Sequence, residues 1–189
     1  MPETITYSDL RRGTNIELDG DVYQVIEYKH VAMQQRTPAL TLKIRQLRTG
    51  KTFERNLPGN QRITLADVDH REAQYLYTDS QQYYFMDATT FEQFPLAPDQ
   101  FGDQIKFLKE GDSISLVFYK GTAVTVELPT TVELTVVETP PAFKGDTAQS
   151  GRKPATLESG LIVKVPMHVS PNQVVRVDTR TGDYVAVVS

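Results

Sequence analysis

Hydrophobic and polar residues alternate with a period of two along most of this chain, in short runs bounded by turn residues. VYQVIEYKH (Val22–His30), TLKIRQL (Thr41–Leu47), YLYTDSQQYYFM (Tyr75–Met86), SISLVFYKGTAVTVEL (Ser113–Leu128) and VVRVDTRTGDYVAVV (Val174–Val188) are crowded with Thr, Val, Ile, Tyr and Phe, which suit a pleated, half-buried surface. Asp19-Gly20, Thr49-Gly50, Asp79-Ser80, Lys120-Gly121 and Thr181-Gly182 supply turns. Helical spacing is confined to two places. SDLRRG (Ser8–Gly13) predicts one turn opened by a serine cap, and APDQFGDQIKFLKEG (Ala97–Gly111) sets Phe101, Ile105 and Leu108 on one side of a short helix. The pattern is that of an all-β chain with small helical plugs.

Two seams divide it. The first is Leu57-Pro58-Gly59-Asn60 to Thr64, where proline and glycine punctuate the pattern, and the second is Leu128-Pro129, before the new run TVELTVVET. The units expected are 1–64, 65–128 and 129–189, each of a size for a small β-barrel that closes on itself and leaves no sheet edge. No internal repeat is visible, so units two and three can share an architecture only without sharing sequence.

Composition narrows the function. Hydrophobic residues make up 39%, and no run approaches the length of a membrane-spanning helix. The opening MPETITYSDLRRG has no cationic start followed by an apolar run, so no signal peptide is expected. Cysteine is absent, which rules out disulfides and thiolate chemistry and fits a reducing, cytoplasmic setting. The net charge of −4 is unevenly spread. Residues 1–64 carry 10 Lys and Arg against 7 Asp and Glu (net +3), residues 65–128 carry 4 against 11 (net −7), and residues 129–189 carry 6 against 6. A polyanion is drawn to the first segment and repelled by the second. The alternative is ordinary solvated surface.

Catalytic signatures are missing. His30, His70 and His168 fall one to a unit without metal-ligand spacing, and there is no GxSxG elbow. GDTAQSGRKP fails as a phosphate loop, because Arg152 precedes Lys153 and Pro154 stands where the metal-binding hydroxyl belongs. No cofactor or metal is expected. Two irregular stretches remain. Pro140–Gly160 interrupts the strands with Lys144, Gly145, Asp146, Thr147, Arg152 and Lys153, a set that can hold a phosphate backbone or base edges, or else serve as a long connection with local turn bonds. Ala32–Pro38 predicts a hairpin tip that carries Met33, Gln34, Gln35 and Arg36 in place of Gly, Asn or Asp. Side chains so long reach outward, and with Lys29, Lys43, Arg45 and Arg48 on the adjoining strands they suit RNA, unless the tip is merely solvated.

GDTAQSGRKPATLESGLIVKVP closely resembles the C-terminal signature of the bacterial elongation factor P family, and SDLRRGTNIELDGDVYQVIEYKHV and YFMDATTFEQFPL resemble its opening strands and middle segment. The resemblance implies an SH3-like N-terminal barrel followed by two OB-type barrels, together L-shaped like a transfer RNA. It implies a monomeric, non-enzymatic cytoplasmic factor that binds both subunits of the 70S ribosome between the P and E sites. There it would relieve stalling on consecutive prolines by positioning the end of the peptidyl-tRNA. The hairpin tip would then lie near the CCA end, and Gly145, Asp146 and Thr147 near the E-site codon of the mRNA.

The sequence departs from the family at the tip. Counting back from Lys43, the lysine that many members carry and modify falls on Gln35, and its flanking glycines are Gln34 and Arg36. Lysine modification is therefore excluded, and Arg36 stands one position away from the arginine that another branch glycosylates. The readings that follow are a factor working unmodified through Gln35 and Arg36, and an elongation-factor-P-like paralogue serving other stalls. A general single-strand-binding protein is the alternative from another class.

Overall fold

The computed structural model describes residues 2–33, 36–142 and 151–188. Three antiparallel sheets follow one another. β1 (Thr4–Ile5), β2 (Asn15–Leu18), β3 (Asp21–Met33), β4 (Arg36–Gln46), β5 (Thr52–Pro58) and β6 (Ile63–Leu65) pair in the order β1-β6-β2-β3-β4-β5 as an SH3-like barrel. β7 (Val68–Thr78), β8 (Tyr83–Asp87), β9 (Gln93–Leu96), β10 (Ser113–Tyr119) and β11 (Thr122–Glu127) form the second, with β7 central in the order β11-β10-β7-β8-β9. β12 (Thr131–Glu138), β13 (Arg152–Leu157), β14 (Ile162–Pro166), β15 (Val174–Asp178) and β16 (Tyr184–Val187) repeat that plan around β12, in the order β14-β13-β12-β15-β16. The second and third sheets thus share an OB-type architecture although no repeat is legible. Each encloses its own core, built mainly from apolar inward positions: Leu40, Leu42 and Ile44 in the first, Phe85, Phe101 and Leu116 in the second, and Leu134, Val136 and Val165 in the third.

Three local expectations change. The proline-glycine break at Pro58-Gly59 lies inside the first sheet, as the turn from β5 to β6. The change of sheet comes at Ala66-Asp67, because Ile63 and Thr64 return to pair with β1. The helix expected over Ala97–Gly111 is two 3-10 segments, Pro98–Gln100 and Gly102–Phe107, held by bonds such as Gln104 N–H to Phe101 O at 3.1 Å. Phe101 and Leu108 still point into the core as their spacing required. The Pro140–Gly160 stretch resumes as strand from Arg152, so Arg152 and Lys153 stand on β13 instead of in a loop.

The barrels meet through side chains. Val22 and Leu47 of the first bury themselves against Val117, Tyr119 and Val124 of the second, and Lys120 lies 3.6 Å from Glu17 at the edge of that cluster. Gly50 comes so close to Pro98–Gln100 that a Cβ there would sit 2.8 Å from the Asp99 carbonyl oxygen. On the other side Phe107 packs on the third core, Lys109 lies 3.4 Å from Glu158, and the Ser159 hydroxyl donates to the Lys106 carbonyl.

In the β15–β16 turn the Asp178 carboxylate takes the Arg180 guanidinium at 2.8 Å and the Arg180 N–H at 2.8 Å, and these donors hold its pKa down from 3.8 to about 2. A depressed carboxyl contributes its stability fully above the unfolded value and loses it as pH falls through the folded one, so the window runs from about 4 down to about 2. Asp178→Asn should therefore unfold with a shallower pH dependence across that window than the parent, as thermal melts at pH 5, 4, 3 and 2 would read.

Candidate nucleic-acid interface

β3 and β4 form a ribbon of 13 and 11 residues, so β3 alone spans about 40 Å at about 3.3 Å per residue. Its lower part is covered by β2 and β5. The β4–β5 ladder ends at Ala39 opposite Pro58, and beyond it only the two hairpin strands pair, up to Met33 opposite Arg36. A bare two-stranded ribbon is marginal in water, and the structure braces this one where the cover stops. Tyr7 stacks on His30 with ring centroids 3.7 Å apart and planes 4° from parallel. The Gly59 N–H donates to the Pro38 carbonyl at 2.7 Å. Only glycine allows that approach, since a Cβ at residue 59 would lie 2.6 Å from Pro38 Cβ and 2.9 Å from His30 Nε2. Tyr7, His30, Pro38 and Gly59 were not legible as site residues, although a glycine after a strand proline was a signal of close approach.

Register places Lys29, Lys43 and Arg45 on one face. Lys29 is opposite Thr41, two residues from Lys43, while Leu40, Leu42 and Ile44 point to the core. Among the described residues these three cations make no ion pair, although Glu27 and Glu54 flank Lys43 across the strands. Arg48 differs. It lies 3.1 Å from Asp21, which also accepts from the Gln46 amide at 2.6 Å and the Val22 N–H at 2.8 Å. Burial alone would raise the Asp21 carboxyl, but those donors and the Arg48 charge outweigh it and hold the pKa below its ordinary value. Arg48 thus has an intramolecular partner in Asp21.

At the far end of the chain Arg152 is exposed at the start of β13, opposite Pro166. Lys153 faces inward with Ala155 and Leu157, is 7% exposed, and donates to the Pro140 carbonyl at 2.8 Å. Its alternation with Ala155 and Leu157 was the signal that could have shown this. Gln34, Gln35, Lys144, Gly145, Asp146 and Thr147 lie outside the described residues, and of Met33 and Arg36 only the paired backbone is described. The arrangement offers a rooted ribbon whose three cations make no ion pair among the described residues, which suits holding a polyanion in place.

Three family models match in succession: the elongation factor P KOW-like domain over residues 6–62, the elongation factor P OB domain over residues 68–126, and the elongation factor P C-terminal model over residues 132–186. The elongation factor P of Carboxydothermus hydrogenoformans is 48% identical over 181 residues, covering 96% of this chain and 98% of that protein. That of Moorella thermoacetica is 45% identical over the same length and coverage, and that of Thermodesulfovibrio yellowstonii is 41% identical, covering 96% and 97%. Among solved structures, eukaryotic translation initiation factor 5A from Methanococcus jannaschii superposes with a TM-score of 0.52 at 14% identity, covering 67% of this chain and 95% of that one. That likeness speaks to the fold.

Proposed function

This chain belongs to the elongation factor P family of translation factors, and on that premise we propose that it binds the ribosome between the P and E sites and speeds peptide-bond formation on peptidyl-tRNA stalled at consecutive prolines. It does so as three units, expected from the sequence as 1–64, 65–128 and 129–189, with the first seam moved to Ala66-Asp67 where the sheets change. The observation that carries the reading is the hairpin, braced at its root by the Tyr7–His30 stack and Gly59, with Lys29, Lys43 and Arg45 along one face and without an ion pair among the described residues. These cations meet the phosphates of the tRNA acceptor stem, and Met33, Gln34, Gln35 and Arg36 reach its CCA end. The Gln35 amide and Arg36 guanidinium give hydrogen bonds and a planar cation without any added group. Gly145, Asp146, Thr147 and Arg152 lie against the small subunit near the E-site codon.

The ribosome supplies the chemistry. The factor restricts the tRNA end to attack geometry, and positioning of this kind is worth up to about 7–11 kcal/mol in ideal systems. The test is reconstituted translation of a template with three consecutive prolines, using recombinant protein that has received no modification. Full-length product that depends on the protein, and that Arg36→Ala diminishes, is expected. Ribosome binding without rescue would transfer the chain to paralogues serving other stalls. Tight, salt-sensitive binding to free oligonucleotides would instead make it a general single-strand binder.

A further inference from the structure

The ladder between β12 and β13 stops early. After Val136 opposite Leu157 the register shifts, Glu138 pairs with Thr156, and there the backbone pairing ends. Beyond that pair come Thr139-Pro140-Pro141 on one side and Ala155, Pro154 and Lys153 on the other, and the three prolines among them have no N–H to extend the ladder. Side chains take over. The Thr139 hydroxyl donates to the Pro154 carbonyl at 2.9 Å, and the Lys153 ammonium donates to the Pro140 carbonyl at 2.8 Å. These bonds cross the gap in opposite directions, one residue apart on each side. An ammonium is not held at 7% exposure without a strong acceptor, because burying it unpaired is costly.

We infer that Lys153 is a positioning residue, a fastener that ties the two stems of the segment between Ala142 and Gly151, with Thr139 as its partner rung. The inference rests on the proposed role of that segment in contacting RNA, and it reassigns Lys153 from direct contact to support. Arg152, exposed one position earlier, keeps the outward role. The lysine of the motif thus acts through Pro140, on the backbone that leads into the segment.

Two measurements test this. The chain has no cysteine, so Ala142→Cys and Lys164→Cys accept spin labels at two exposed positions, one on the stem and one on β14. Pulsed dipolar spectroscopy should give one narrow distance in the parent and a distribution about twice as wide in Lys153→Met, which keeps the stem length and removes the donor. Thr139→Val should widen it in the same sense, and serves if Lys153→Met does not fold. An unchanged width in both variants overturns the inference. The second readout is ribosome affinity against salt. Arg152→Ala should lower the slope by about one unit, as the loss of one phosphate contact does. Lys153→Met should weaken binding about three- to tenfold with the slope unchanged, and a slope lowered by one would make Lys153 a phosphate contact and overturn its assignment. Asp146→Ala and Thr147→Ala check the underlying reading. If they bind like the parent while Lys153→Met still widens the distance, the fastener stands and the RNA-contact role falls.

Discussion

Met33→Ala, Gln34→Asn, Gln35→Gly and Arg36→Ala, made together, should leave the fold intact and slow stall rescue by about 100-fold, a loss of about 2.7 kcal/mol at 1.36 kcal/mol per tenfold. The fold should survive because Asn-Gly is the strongest two-residue hairpin turn, and the brace at Tyr7, His30, Pro38 and Gly59 lies below the exchanged residues. The thermal midpoint should stay within about 2 °C of the parent, since none of the core residues named above is exchanged. Ribosome affinity should fall far less than the rate, because in the proposed function Lys29, Lys43 and Arg45, which are unchanged, hold the acceptor stem. That split separates a positioning tip from an anchoring one. The measurements are peptide-bond formation on a three-proline template at saturating factor, and affinity from a titration of the same ribosomes. Rescue at the parental rate would mean that occupancy of the site by the body of the factor suffices.

The periodic elements were legible in the sequence because their causes are local. Leu40, Leu42 and Ile44 alternate with Thr41, Lys43 and Arg45, and that alone defines a strand with an apolar face and a cationic one. What escaped depended on partners distant in sequence. Arg48 looks like Lys29 in the sequence, and only the fold brings Asp21 around to pair with it. Lys153 was counted with Arg152 because both are basic, whereas period two put one inside and the other outside. The helix over Ala97–Gly111 failed for a different reason. Its apolar spacing was correct for contact with the core, but Phe101 at φ −137° and Gly102 at φ +52° leave the helical region and divide the segment into two short 3-10 pieces.

Phe101→Ala should have the largest effect on stability, and its consequence should reach the whole molecule. The ring is fully buried, packed edge-on against Tyr83 at 5.0 Å and Phe85 at 6.1 Å between centroids. Removing a buried phenylalanine costs about 3–5 kcal/mol, which would lower the thermal midpoint by about 10 °C or more. Phe101 also joins the two 3-10 segments that carry the joints. On one side the Asp99 carbonyl lies under Gly50 of the first barrel, while within the second Gln100 donates to the Val124 carbonyl at 3.0 Å and its carbonyl accepts from the Thr125 hydroxyl at 2.7 Å. On the other, Lys106 and Phe107 meet Ser159 and the third core. Emptying the site between them loosens both contacts at once. If the protein works as proposed, holding one end of a tRNA while anchored elsewhere, it needs those contacts fixed, so Phe101→Ala should lose rescue even at 15 °C, where it remains folded. Phe91→Ala makes the contrast, because that ring is 69% exposed and its loss should leave the midpoint nearly unchanged. Full rescue by folded Phe101→Ala would show that each barrel engages the ribosome independently, with the joints serving only stability.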